Sequence, residues 1–234
     1  MLMTTRISSA NRALLSAGIA WLVMCASLLA ACSRGPAPAP VEAMLQTEIL
    51  LKQYGGRVDL PFVNEYLSYL NQRLGQGLES GTPDGLDIIL LRSTRPVAFA
   101  PGRRSVLVSA GLIRLLNSEA ELAFVLAHEI AHHELGHTLQ YSASDAATAE
   151  LRPELELAAD RFAVATMAAA GYDPRAAVSA LRNAYSHQQA GATASHPLLQ
   201  ERLTSIGDMI QSSGWLPPGT LDRRSFKQIK QLLR

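Results

Sequence analysis

One stretch of this chain constrains its fold more than any other. Within residues 118–137, Leu122, Ala123, Phe124, Val125, Leu126, Ala127, Ile130 and Ala131 place apolar side chains on nearly every side of a helical wheel. A helix that is apolar all round is stable only when other elements cover it, so the chain must build a core around this one. The same stretch nonetheless carries His128, Glu129 and His132. Burying two imidazoles and a carboxylate without partners costs several kcal/mol. The surrounding fold therefore has to bring something polar or charged to them.

The spacing says what that is. Residues four apart share a helix face, so His128 and His132 can offer two nitrogens to one ion. Glu129 lies about 100° further around, placed to reach a water beside the ion rather than the ion itself. This is the H-E-x-x-H arrangement of zinc peptidases, and it predicts one Zn2+ per chain. A third protein donor is then needed. His133 points about 140° away from His128, and His137 follows His132 by five residues. The metzincin spacing is excluded, because Leu135 and Thr138 stand where it needs a glycine and a histidine.

The better candidate is Glu156, in Glu156-Leu157-Ala158-Ala159-Asp160. Leu155, Phe162, Ala163 and Val164 make that helix largely apolar too, and a buried pair of acids one turn apart wants a cation or a donor. Glu156 completes a His-His-Glu set with one position left for water. Asp160 is placed to accept the second N–H of a ligand imidazole, that of His128, fixing its tautomer. Glu150 and Glu154 stand as alternatives to Glu156 in less apolar settings.

Other parts of the chain read as follows. Arg6 and Arg12 precede an uncharged, largely apolar run over 13–32 that includes Leu14, Leu15, Ile19, Leu22, Val23, Leu28 and Leu29. That is the layout of a signal peptide, although twenty uncharged residues also suffice to span a bilayer. Leu29-Ala30-Ala31-Cys32 looks like a bacterial lipobox, which implies cleavage before Cys32 and acylation of its thiol. Ser33 follows, and a residue other than Asp there points to the outer membrane. Pro36-Ala37-Pro38-Ala39-Pro40 is a stiff tether. The expected layout is a lipoprotein signal at 1–31, a lipidated Cys and tether at 32–42, a metallopeptidase domain at 43–212 and a basic tail at 213–234 with a final helix. Cys25 and Cys32 are the two cysteines of the chain, so the folded domain has no thiol and holds metal by His, Asp or Glu alone.

Helices are expected over 41–53, 61–75, from the capping box Ser118-Glu119-Ala120-Glu121 to about His137, from Pro153 to about Ala170, from Asp173-Pro174 to about Gln189, and over 198–211. Strands are expected over 86–92 and 105–109, with an edge strand at Val97, Ala98, Phe99 and Ala100. The fold class is therefore α+β, mainly α-helical, with a small antiparallel sheet beside the active-site helix. Of 234 residues, 48% are hydrophobic and 18% charged, with a formal net charge of +1. That balance excludes a disordered chain and gives no electrostatic support to nucleic-acid binding.

Taken together, these segments resemble the gluzincin metallopeptidases that include the HtpX heat-shock protease, the CAAX prenyl endopeptidases and the mitochondrial Oma protease, in a periplasmic lipoprotein branch. The resemblance rests on Ser118–Ala123, His128–His132, Glu156–Asp160, Ala170-Gly171-Tyr172-Asp173-Pro174, and Ser195-His196-Pro197 with Arg202, all in family order. It implies a zincin-like domain, zinc on His128, His132 and Glu156, and Glu129 as general base. It also implies a place near the metal for His196, as oxyanion stabiliser or resting-state ligand, and for Arg202 as a residue that orients the site or pairs with an acid. Two departures stand out: Arg103 falls where the family has glycine, and Gly136 where it commonly has arginine.

The implied activity is cleavage of unfolded or misassembled envelope proteins by a lipid-anchored endopeptidase on the periplasmic face, with extended substrates pairing along Val97–Ala100. A different class also fits the motif: a zinc-containing chaperone or latent protease that binds envelope proteins and rarely cuts. The expected partners are polypeptides and, through the anchor, the membrane.

Overall fold

Eight helices and a three-stranded sheet are seen among the described residues. The computed structural model describes residues 40–78, 86–102, 105–140, 153–188, 197–214 and 224–234. The signal segment, Cys32 and the tether before Pro40 lie outside them, as do Glu150 and His196. In chain order the elements are α1 (Pro40–Gln53), α2 (Pro61–Gly75), β1 (Asp87–Leu91), β2 (Ala98–Phe99), β3 (Ser105–Ser109), α3 (Ala110–Leu115), α4 (Glu119–Glu134), a 3-10 turn (His137–Gln140), α5 (Pro153–Ala169), α6 (Ala176–Gln188), α7 (Pro197–Ser213) and α8 (Arg224–Leu232). No described helix is long and apolar enough to cross a membrane.

The sheet sorts its side chains by the period of two that strands impose. Ile88, Leu90, Val106 and Val108 face the main core, which α2, α4, α5, α6 and α8 complete. Ile89, Leu91 and Leu107 face the opposite way, onto Tyr54, Leu50 and Leu51 of the α1 region. β1 is buried except for Asp87 and β3 is buried throughout. These two strands lie under helices on both faces, which explains their nearly unbroken apolar sequence.

The sheet order is β1-β3-β2. β3 pairs with β2 antiparallel, as expected of the Pro101-Gly102 turn, but it pairs with β1 in parallel, Ile88 opposite Val106 and Leu90 opposite Val108. The expectation of an antiparallel sheet is corrected to a mixed one. The cause is the connection over 92–97, which passes the end of β3 instead of turning back beside β1. Ser109, at that end, fastens the crossing. Its hydroxyl donates to Arg95 O at 2.7 Å and accepts from Val97 N and Leu112 N at 3.0 Å. Gly111 leaves room for it, since a Cβ there would stand 2.1 Å from the Thr94 carbonyl oxygen. Ser109 also caps α3, a helix that the sequence reading left out.

The segment 213–234 is more than a solvated basic tail. Within it α8 buries Phe226 and Ile229, with Leu233 just beyond it, in the main core. The Lys230 ammonium donates to Leu116 O at 2.6 Å, and Arg114 donates to Leu233 O at 3.3 Å.

Candidate active site

Helix α4 is held first at its start. The Ser118 hydroxyl accepts from Glu121 N at 3.2 Å, and Glu121 reaches back to Asn117 N at 2.8 Å, one residue earlier than a standard capping box. Glu119, buried in the first turn, accepts from the hydroxyls of Tyr66 and Tyr172, each at 3.0 Å. Its negative charge suits a helix N-terminus. Burial, helped by Glu119, raises the pKa of both phenols, so both remain donors. At the other end α4 stops at Glu134, short of the expected His137, because Gly136 takes φ +71° and turns the chain.

Between these ends the motif faces α5. His128 Nε2 and His132 Nε2 are 3.1 Å apart. The Glu156 carboxylate places one oxygen 3.3 Å from His128 Nε2 and the other 3.4 Å from His132 Nε2. Donors that sit 2.0–2.1 Å from a tetrahedral zinc stand about 3.4 Å from one another. The three side chains are thus spaced as the edges of such a site, and all three are buried. They are the expected trio. Among the alternatives, Glu154 is exposed. His133 leaves the site altogether, its Nε2 lying 2.9 Å from Ser105 O on β3.

Asp160 is fully buried behind the trio. One of its oxygens lies 3.0 Å from His128 Nδ1, close but oblique to the ring's N–H direction. Arg202, from α7, forks onto both Asp160 oxygens at 2.7 Å and reaches Glu156 at 2.9 Å. The sequence left its partner open; the partners are these two acids.

The electrostatics ask for a cation. Burial opposes ionisation of Glu156, but hydrogen bonds from His128 and His132 outweigh it and hold the carboxylate far below its ordinary range. Asp160 is likewise lowered, burial being overcome by His128 and Arg202. Burial also disfavours a charged His128, yet Asp160 and Glu156 lift its pKa to about 9. Without metal these acids favour a proton on His128, and a divalent ion held by the trio would have to displace it. The donor set, two imidazoles and a carboxylate, suits zinc.

Glu129 is half-buried and borders the same cleft. Burial raises its pKa, and His128 and His132 pull against the rise. The cleft has a volume of about 420 Å³. Val97, Ala98, Phe99 and Ala100 form one wall; Leu112, Phe124, Val125 and Leu181 make another part apolar. A residue that sequence reasoning set aside also belongs here: His137 is buried, its Nδ1 3.0 Å from His132 Nδ1. Its five-residue offset from His132 was the only signal. Burial, then His132, lowers the pKa of His137 to about 4, so it is neutral near neutral pH.

Comparison with known proteins finds two matching peptidase families. Residues 63–152 match the model of peptidase family M48, and residues 116–214 match that of Peptidase U49. His128, Glu129 and His132 lie where the two matches overlap; Glu156, Asp160 and Arg202 lie in the second. A protein of Vibrio cholerae serotype O1, carrying the provisional name beta-barrel assembly-enhancing protease, is 30% identical over 187 residues. That alignment takes in 62% of this chain and 38% of the relative, so the chain spans well under half of the relative's length. These matches agree with the metallopeptidase resemblance read from the sequence: the chain is similar to the M48 peptidases over residues 63–152.

Proposed function

We propose that this chain is a zinc-dependent endopeptidase of the bacterial envelope that hydrolyses peptide bonds of unfolded or misassembled envelope proteins. The observation that carries the reading is the convergence of His128, His132 and Glu156 at tetrahedral-edge distances, on the floor of a cleft that Glu129 also borders. Zinc on that trio would supply a Lewis acid that polarises the scissile carbonyl and acidifies water. Glu129 then takes a proton from the attacking water and returns it to the leaving amine nitrogen. Its raised pKa makes it the stronger base for that exchange. Asp160 orients His128, and Arg202 holds Asp160 and Glu156 in place. His196 is proposed to steady the oxyanion or to serve as a resting-state ligand.

Substrate pairs along β2. Its backbone bonds to β3 on one side, and as the sheet's edge strand it can take an extended chain on the other. Backbone pairing of that kind asks for an unfolded segment and little of its side chains. The lipobox supports lipidation at Cys32 and attachment at the periplasmic face of the outer membrane. The name of the Vibrio cholerae relative supports an envelope setting.

Glu129→Gln tests the mechanism. The variant is expected to bind one zinc as the parent does and to lose at least about a hundredfold in cleavage of an unfolded protein. Full activity in that variant would refute the assignment, and so would a zinc-free parent that cleaves equally well after exhaustive chelation.

A further inference from the structure

We propose that His137 is a positioning residue for the metal: it accepts the Nδ1 proton of His132 and so fixes the tautomer in which His132 Nε2 is free to bind. This inference rests on the zinc site proposed above and adds a residue to it. Each ligand imidazole needs something behind it. A ring whose far nitrogen finds no partner can carry its proton on either atom, and half of those arrangements point an N–H at the ion. His128 has Asp160 at 3.0 Å from its Nδ1. The group behind His132 is His137, with the two Nδ1 atoms 3.0 Å apart, ring centroids 5.1 Å apart and planes at 65°.

Two facing nitrogens at that distance must share one proton. If His132 is to offer Nε2 to the metal, its own Nδ1 must carry a hydrogen, and His137 Nδ1 must be the acceptor. The hydrogen of His137 then sits on its Nε2. The assignment is forced by the geometry once His132 is a ligand, and it makes the two rings behave as a relay of fixed sense rather than as interchangeable donors.

The backbone shows why His137 can reach. It follows helix α4 by three residues, so on a continuing helix it would point about 140° from His132 and could not touch it. Gly136, at φ +71°, reverses the chain, and the 3-10 turn His137–Gln140 lays the ring back over the helix end. His137 is 5% exposed and Thr138 beside it 7%, so water does not readily replace the imidazole as acceptor. The partner is a neutral ring where His128 has a carboxylate. It therefore sets the tautomer of His132 without adding a third buried negative charge to Glu156 and Asp160.

The test measures zinc affinity by competition with a chromogenic chelator, alongside the imidazole 15N NMR spectrum of the zinc-loaded parent. His137→Leu and His137→Ala remove the acceptor, and each is expected to weaken zinc binding by about 10- to 100-fold. His137→Asn, whose side-chain oxygen can accept in place of Nδ1, should recover most of that loss. In the parent, His132 should carry its proton on Nδ1 and His137 on Nε2. The spectrum needs no variant, so it decides the matter even if the substitutions fail to fold. A His137 found protonated on Nδ1, or Leu and Ala variants that hold zinc as tightly as the parent, would overturn the role of His137 and leave the zinc site standing. A parent that takes up no zinc would overturn both.

Discussion

In the proposed zinc site, His128 is the residue that would exchange a proton for the metal. In the metal-free protein Asp160 and Glu156 keep its imidazole protonated up to about pH 9, against the opposing effect of burial. Because its folded pKa lies above the ordinary imidazole value, that proton stabilises the metal-free fold most fully below the ordinary range. The contribution is lost as pH climbs through about 9. Zinc needs the same nitrogen bare. Apparent zinc affinity is therefore expected to rise about tenfold per pH unit below that value and to level off above it. Calorimetry in buffers of differing ionisation enthalpy should register about one proton released per zinc near neutral pH. An affinity that stays flat across the neutral range would show that His128 is already bare in the metal-free protein. The trio itself was legible in the sequence, because a four-residue spacing on an apolar helix and an acid pair on a second one have few other uses. His137 was not, because its contact depends on a backbone reversal at Gly136 that helical spacing does not foresee.

At the scale of elements, the crossing of 92–97 over the end of β3 decides where the cleft's edge strand lies. Helix and strand positions followed from periodicity and turn residues, and most fall close to their expected bounds. Pairing did not follow, because apolar alternation says which face a strand buries and nothing about which neighbour it takes. The signal lay instead in Ser109 and Gly111, whose roles show only once the Thr94–Arg95 backbone is seen against them. Gly111→Ala would drive a methyl group into the Thr94 carbonyl, and backbone on both sides leaves little to yield. Destabilisation of about 3 kcal/mol is expected, measurable by urea denaturation, together with weaker binding of extended substrates as β2 shifts. An unchanged midpoint would mean that the crossing can move aside.

Over the whole molecule, α8 does structural work that its basic composition hides. Four Lys/Arg residues in 224–234 read as a solvated face, while Phe226, Ile229 and Leu233 at helical spacing bury the other face against the main core. Phe226→Ala is expected to lower stability by about 3–5 kcal/mol with zinc still bound at low temperature, which denaturant melts of the metal-loaded protein would check.

Arg202 joins this larger frame to the chemistry. One guanidinium ties α7 to both acids of α5, so a helix outside the donor trio bears on where the Glu156 carboxylate sits and on how far its charge is neutralised. Were an ion held there, a contact that tugs on α7, from substrate or from another protein, would shift the guanidinium against Glu156 and so change how strongly that ion pulls on water: the site would be open to leverage from outside the donor trio.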